Sequence, residues 1–313
     1  MSIMVTGGSG FIGVRVVRKL LERGEKVVCF DVSPPRSQFH SMLERGTFYR
    51  GDVTQITQLL EATKTFDVRR VIHLAAMVPP ETEDKPHPAM YLNIQGTNNV
   101  FEVARWAGLE RVVYASSLAY YGLQENFGLR AVNEDDRPNP INIYGMTKLA
   151  NEFAARKYTE RCGLDLRGIR ICPTLGHGRT AGPAGPVIGL LISYPAVGKP
   201  IDIPFSAAQP YLMIHVEDAA EIFVRVALAD GLRHPVYNTG GYQIRIGDIA
   251  ELVKEFIPDA RITMGSRPAP GMYLVENSRL MTDVDYVLPP LRVRILDHIN
   301  EARSEAGLQP IKG

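Results

Sequence analysis

Ile3-Met4-Val5-Thr6-Gly7-Gly8-Ser9-Gly10-Phe11-Ile12-Gly13 runs from a short apolar strand through a glycine-punctuated turn into a helical pattern from about Phe11 to Arg23. Each glycine of the set 7, 10 and 13 has a separate use. The first permits a tight turn, the second lets the backbone approach a pyrophosphate, and the third lets helix and strand pack closely. The helix start then presents unpaired N–H groups and the positive end of its dipole to an anion. Asp31 closes the next apolar run, Val27-Val28-Cys29-Phe30, 18 residues beyond Gly13. A carboxylate at that offset accepts both ribose hydroxyls of an adenosine and repels a 2′-phosphate, which favours NAD over NADP, although Arg36 leaves NADP open. Asp52, after the third apolar run, reads equally as a partner of the adenine amino group or as a cap for the following segment.

Short apolar runs alternate with helical patterns from this loop onward. Thr47 to Tyr49 precedes a helix after Thr54, Val71-Ile72-His73-Leu74 precedes one from about Ala89 to Ala107, and Val112-Val113-Tyr114 follows. Strand and helix in alternation predict an α/β fold, a doubly wound parallel sheet of Rossmann type. After Ile171 glycine and proline recur at short intervals, which marks a second, smaller region interleaved with the first. The expected division is 1–172 with about 214–238 for a dinucleotide-binding domain, and 173–213 with 239–313 for a substrate-binding region. Helices are expected from near Val216, over Ile249 to Phe256, and over Leu291 to Ala306. The stretch Gly176 to Gly189 reads as a lid or as an ordinary loop.

Composition excludes several partners. Among 313 residues, Lys and Arg number 35 against 34 Asp and Glu, so no net field recruits nucleic acid or an anionic membrane. A hydrophobic content of 45% provides for a packed core. Gly7, Gly8 and Gly10 interrupt the N-terminal apolar run, so a secretory leader is not expected; no apolar run reaches about 18 residues, and Cys29, Cys162 and Cys172 lack zinc or disulfide spacing. The expectation is a cytoplasmic protein with reduced core cysteines, no metal and a small-molecule partner; the seven histidines show no ligand spacing.

Tyr144 and Lys148 stand one helical turn apart, on one face of a helix starting near Ile141. A phenol with a pKa of about 10 is a poor base near neutrality, and an adjacent ammonium favours the phenolate. Ser116 and Ser117 end the strand Val112-Val113-Tyr114-Ala115, at the carboxyl edge where doubly wound sheets bind ligands. A serine there can donate to a substrate oxygen while Tyr144 moves the proton.

These features, with Asp52-Val53, His73-Leu74-Ala75-Ala76, Asn93, Gly96-Thr97, Tyr121-Gly122, Tyr144-Gly145-Met146-Thr147-Lys148 and Ile214-His215-Val216-Glu217-Asp218, run in the order found in one family. The sequence resembles the extended short-chain dehydrogenase/reductase family, the NAD-dependent epimerase/dehydratase type. The resemblance implies that Tyr144 is the acid/base, that Lys148 tunes it and holds the nicotinamide ribose, and that Ser117, four residues before Tyr121, is the catalytic serine. It implies a cofactor site built from Gly7, Gly10, Phe11, Ile12, Gly13, Asp31, Asp52, Val53, Leu74, Ala75, Ala76, Asn93, Tyr144, Lys148 and Pro173. A homodimer through helices around 90–107 and 145–161 is implied as well.

The chain departs from that family in telling places. Ser117-Leu118-Ala119 replaces the Thr-Asp-Glu of dehydratases, which removes the carboxyl needed for water elimination. The Asn and Arg that grip a nucleotide diphosphate in epimerases are missing around Arg170-Ile171-Cys172-Pro173 and Tyr211-Leu212-Met213-Ile214. The expectation is therefore an NAD-dependent oxidoreductase acting on a secondary alcohol or ketone without a nucleotide handle, such as a sugar derivative, a polyol or a hydroxy acid. Met77, Val78, Ser117, Leu118, Thr174 and Tyr211 are the expected substrate wall, with His177 and Arg179 addressing a polar or anionic end. Two other readings compete: a nucleotide-sugar epimerase with tightly held NAD, and a dinucleotide-binding sensor without chemistry.

Overall fold

The computed structural model describes residues 1–36, 45–179 and 184–312. Its strands are, in chain order, β1 (Ser2–Thr6), β2 (Val27–Asp31), β3 (Thr47–Arg50), β4 (Val68–His73), β5 (Arg111–Ser117), β6 (Leu166–Ile171), β7 (Thr174–Leu175), β8 (Ile201–Phe205), β9 (Pro210–His215), β10 (Val236–Asn238), β11 (Tyr242–Arg245) and β12 (Ile262–Arg267). Seven form one sheet in the order β10-β6-β5-β4-β1-β2-β3, and every neighbouring pair is parallel. Strand order reverses between β1 and β4, and a doubly wound sheet opens a crevice at that point.

The described α-helices are α1 (Gly13–Glu22), α2 (Ile56–Thr65), α3 (Glu81–Asp84), α4 (Pro86–Met90), α5 (Thr97–Ala107), α6 (Ile143–Cys162), α7 (Leu191–Ala196), α8 (Val216–Leu228), α9 (Ile246–Phe256), α10 (Ser278–Val284) and α11 (Leu291–Glu305). Alternation along β1 sends Ile3 and Val5 into a core with Val17 and Leu20 of α1 and Phe223 of α8. Met4 points the other way, to Leu59 of α2 and Phe101 of α5. Both faces of the sheet are thus covered, which is why its strands read as near-continuous apolar runs.

A third core joins α7, β8, α9 and α11 through Ile192, Ile203, Val253 and Ile299. Two small sheets belong to this part, β11-β9-β7 and β12-β8. The segment expected as one helix from Ala89 to Ala107 is α4, a π-helical turn at Tyr91–Gly96, and α5. A second π-helical turn spans Pro186–Leu190. The stretch 176–189 is described except at 180–183, which lie outside the described residues. Cys29 and Cys172 are buried as expected, but Cys162 is exposed at the end of α6. Among the described residues no helix is long and apolar enough to cross a membrane, and no three His, Cys, Asp or Glu side chains cluster as a metal site.

Candidate active site

The glycine loop joins β1 to α1 at the strand-order reversal. Gly7 has φ +68, and a Cβ there would stand 2.6 Å from the Ala75 nitrogen, so neither the turn nor the contact tolerates a side chain. No side chain caps α1, whose first residues line a cavity of about 550 Å³ along with Gly7 and Gly10. Among the described residues the N–H groups of Phe11, Ile12 and Gly13 have no backbone partner, while those of Val14, Arg15 and Val16 bond Gly10 and Ile12, and free N–H groups at a helix start make an anion site. At the end of β2, Asp31 accepts a hydrogen bond from the Ser9 N–H at 3.1 Å, which ties that carboxylate to the loop. The donor set therefore fits a dinucleotide: orphan N–H groups for the pyrophosphate, a carboxylate beyond them for the ribose.

The same cavity runs over the ends of β4, β5 and β6 and is walled by Leu74, Ala76, Ser117, Tyr144, Lys148 and Pro173 among others. Tyr144 lies in the first turn of α6. Asn142 caps that helix by accepting from the Gly145 N–H at 2.8 Å, and Glu83 accepts from the N–H groups of Ile143 and Tyr144 at 3.2 and 3.3 Å. A Cβ on Gly145 would come within 2.4 Å of the Ala119 carbonyl oxygen, so glycine lets α6 settle onto the turn that carries Ser117.

Ser117 and Tyr144 line the same cavity, and the Ser117 hydroxyl acts to lower the Tyr144 pKa. Ser117 Oγ also accepts from the Ala119 N–H at 3.1 Å. Ser116 is buried and donates to Glu152 at 2.5 Å, whereas Ser117 lines the cavity. Lys148 is 3% exposed and donates from Nζ to the Ala115 carbonyl at 2.8 Å. Its Nζ stands 5.2 Å from the Tyr144 ring centroid, over the face of the ring.

The electrostatics differ from the sequence expectation. Desolvation raises the Tyr144 pKa, and the Ser117 hydrogen bond and the Arg179 charge oppose it; Lys148 is not among the groups that set it. Burial instead lowers Lys148 to about 8, with Glu152 pulling the other way.

Of the other expected cofactor residues, Phe11, Ile12 and Gly13 line the cavity beside Gly7 and Gly10. Asp31, the last residue of β2, and Asp52, two residues beyond β3, do not line it. Asp52 Oδ1 accepts from the N–H and hydroxyl of Thr54 at 2.8 Å each, a turn closing ahead of α2, whose N-cap is Gln55 with no side-chain cap. Val53 is buried against Gly96, and Ala75 supports Gly7 from behind. Asn93 does not line the cavity. Its amide accepts from the Met77 N–H at 2.8 Å and donates to Met77 O and Thr147 Oγ1, so its polar atoms hold the β4 exit loop.

On the substrate side Val78, Leu118, Thr174, Arg179 and Tyr211 line the cavity, and Met77 does not because Asn93 fixes its backbone behind the wall. His177 is a correction. Its ring bonds Ser193 of α7 at 3.0 Å and Glu305 of α11 at 2.7 Å, and it does not line the cavity that holds Tyr144.

Three supporting residues escaped the sequence reading. Glu152 takes both a hydrogen bond from Ser116 and a two-pronged ion pair from Arg170, and Arg170 Cζ lies 3.8 Å over the Tyr120 ring. This buried pair braces β5, β6 and α6 under Lys148, and the one available signal was Glu152 four residues after Lys148. Glu83 carried no signal, since it lies 61 residues from the N–H it caps.

Comparison with known proteins agrees with this geometry. The chain is 30% identical over 264 residues to an uncharacterised protein of Sinorhizobium fredii, covering 84% of this chain and 61% of that relative's length. An L-threonine dehydrogenase from Clostridium difficile superposes with TM-score 0.85 at 25% identity, over 98% of this chain and 99% of that one. The Thermus thermophilus UDP-glucose 4-epimerase in complex with NAD superposes with TM-score 0.83 at 24% identity, over 97% and 99%. Residues 3–240 match the family model described as the NAD dependent epimerase/dehydratase family, and the chain belongs to that family.

Proposed function

We propose that this protein is an NAD-dependent oxidoreductase that interconverts a secondary alcohol and its ketone on a substrate without a nucleotide handle. The observation that carries it is the Ser117, Tyr144 and Lys148 set gathered at the wall of one largely apolar cavity. When bound, the dinucleotide supplies the hydride acceptor or donor at its nicotinamide. Everything else falls to the chain's own residues. Ser117 orients the substrate oxygen, Tyr144 Oη takes the hydroxyl proton in oxidation and returns it in reduction, Arg179 supplies positive charge that favours its phenolate, and Lys148 packs its ammonium over the ring face. Apolar walls such as Leu118, Ile171 and Met272 exclude water.

Asp31 supports NAD over NADP, because a 2′-phosphate would meet its carboxylate. The absence of any carboxyl among the described cavity residues speaks against dehydration. Residues 1–172 with about 214–238 carry the cofactor in this reading, and 173–213 with 239–313 shape the substrate. A homodimer accompanies it, built on the α5–α6 face.

The test is NADH production, followed at 340 nm, with NAD and with NADP over a panel of polyols, free sugars, hydroxy acids and simple secondary alcohols. NAD-linked turnover that drops by about 10²- to 10⁴-fold in Tyr144→Phe is expected. Silence across the panel, with NAD that survives desalting, would instead favour the epimerase reading, since an epimerase has no need to exchange its cofactor.

A further inference from the structure

The cavity contains a charge that nothing described there neutralises. Arg179 lines it, its Nε is buried without a hydrogen-bond partner, and its guanidinium pairs with no carboxylate among the described residues. Most other arginines near the core have such a partner: Arg170 has Glu152, Arg294 has Asp218, Arg111 has Asp165. A buried donor left unmade carries a desolvation cost that is greater when it is charged, and a ligand entering the cavity can relieve it.

Its position is built. The Arg179 N–H bonds the Gly176 carbonyl at 3.4 Å. Its own carbonyl lies against Gly189 of the π-helical turn so closely that a Cβ on Gly189 would stand 1.6 Å away. The guanidinium charge also reaches the phenols of both Tyr144 and Tyr211, which places it at the reacting end of the cavity. The remaining walls are apolar or neutral, and the described lining includes Lys148 and Arg179 as cations but no Asp or Glu. Low-dielectric walls around uncompensated positive charge favour an anion.

We propose that Arg179 determines substrate specificity by receiving a carboxylate, so that the substrate is a small hydroxy acid or its keto counterpart. A planar guanidinium matches a carboxylate in a forked pair of hydrogen bonds. Size agrees: the 550 Å³ must hold the nicotinamide end of the dinucleotide as well as the substrate, which leaves room for a compact molecule. In oxidation the carbinol carbon loses its hydrogen with the bonding pair to the dinucleotide, the hydroxyl proton passes to Tyr144, and the C=O bond forms while Arg179 holds the acid. The inference rests on the oxidoreductase reading of the same cavity.

Binding, not turnover, tests it. Short 2- and 3-hydroxy acids such as 3-hydroxybutyrate, their neutral amides, and glycerol 3-phosphate are titrated into the protein saturated with NADH, where no hydride can move, and NADH fluorescence reports occupancy. The acid is expected to bind about 10- to 100-fold more tightly than its amide. Arg179→Gln should erase that preference while the NADH Kd stays within about two-fold, and Arg179→Lys should keep part of it. Equal binding of acid and amide by the unaltered protein would overturn the proposal. Loss of NADH affinity in Arg179→Gln would overturn it too, by making Arg179 a cofactor ligand, and a preference for glycerol 3-phosphate would replace the carboxylate with a phosphate. Failure of hydride transfer in the earlier assay leaves this binding preference readable, so the two readings fall separately.

Discussion

Lys148 carries a positive charge where a fully buried side chain would rather be neutral. Burial takes its pKa from 10.5 to about 8. A fall of that size corresponds to about 3 kcal/mol of stability, each pKa unit being worth about 1.4 kcal/mol. The sign follows from proton binding. Between about pH 8 and 10.5 the unfolded chain holds a proton that the folded chain has released, so stability rises with pH through that window. Below about 8 both states are protonated and the full cost is present. Urea unfolding of the native protein and of Lys148→Met is expected to show a stability difference that is constant below pH 7.5 and shifts toward the native protein by about 2–3 kcal/mol as pH approaches 10. A difference independent of pH would mean that Lys148 is not held desolvated. His73 shows the opposite use of burial. Held between Thr6 and Thr97, and lowered to about 3 by desolvation, it stays neutral and serves to pin β1, β4 and α5 together.

At the scale of elements, the reacting groups are aligned by how α6 starts. Two separate caps, Asn142 from its own chain segment and Glu83 from α3, satisfy the first-turn N–H groups, and Glu83 adds a negative charge where the helix dipole is positive. Gly145 then sets the distance to the Ser117 turn. Gly145→Ala places a methyl 2.4 Å from the Ala119 carbonyl, so α6 must move away from β5. The expected outcome is a loss of kcat of about 10- to 100-fold, from a displacement on the ångström scale, with stability reduced by about 1–3 kcal/mol. An unchanged kcat in a folded variant would show that the Tyr144 to Ser117 spacing does not limit the reaction. Both π-helical turns serve the same cavity in this view: one carries Asn93, which fixes the Met77 backbone, and the other carries Gly189, which seats Arg179. Such turns reposition side chains at little cost in backbone hydrogen bonds and recur at functional sites. Their hydrophobic period is too close to that of an α-helix to be seen in sequence, which is why Ala89 to Ala107 read as one regular helix.

For the whole molecule, the parallel sheet accounts for its covered faces, but three large aromatic side chains stay exposed on its outer helices. Tyr91, Trp106 and Phe153 are 51%, 53% and 54% exposed on the segment from the first π-helical turn through α5 and on α6. Exposed aromatic residues gathered on adjacent helices mark an association surface. The homodimer proposed above would bury them. Light scattering coupled to gel filtration is expected to give twice the chain mass of 34.7 kDa, and Trp106→Glu to shift it toward a single chain. A monomer at micromolar concentration in the unaltered protein would sink the dimer. Since Tyr144 and Lys148 share α6 with Phe153, loosening the interface is also expected to weaken catalysis.

What the sequence by itself determined is what local chemistry imposes. The glycine spacing at 7, 10 and 13, Asp31 at the end of β2, the apolar strands, and the one-turn spacing of Tyr144 and Lys148 depend on neighbours within a strand, a turn or a helix, so they are legible without a fold. What only the tertiary structure decided are partnerships between distant residues. Glu83 caps a helix 61 residues away, Glu152 meets Arg170 and Ser116, and Asn93 spends its amide on Met77. His177 and Arg179, two residues apart and alike in sequence as possible anion ligands, part company because the ring of one bonds Ser193 and Glu305 while the guanidinium of the other meets no carboxylate among the described residues. Burial and pairing are properties of the packed molecule, and they alone turn a basic side chain into either a structural tie or an open binding group.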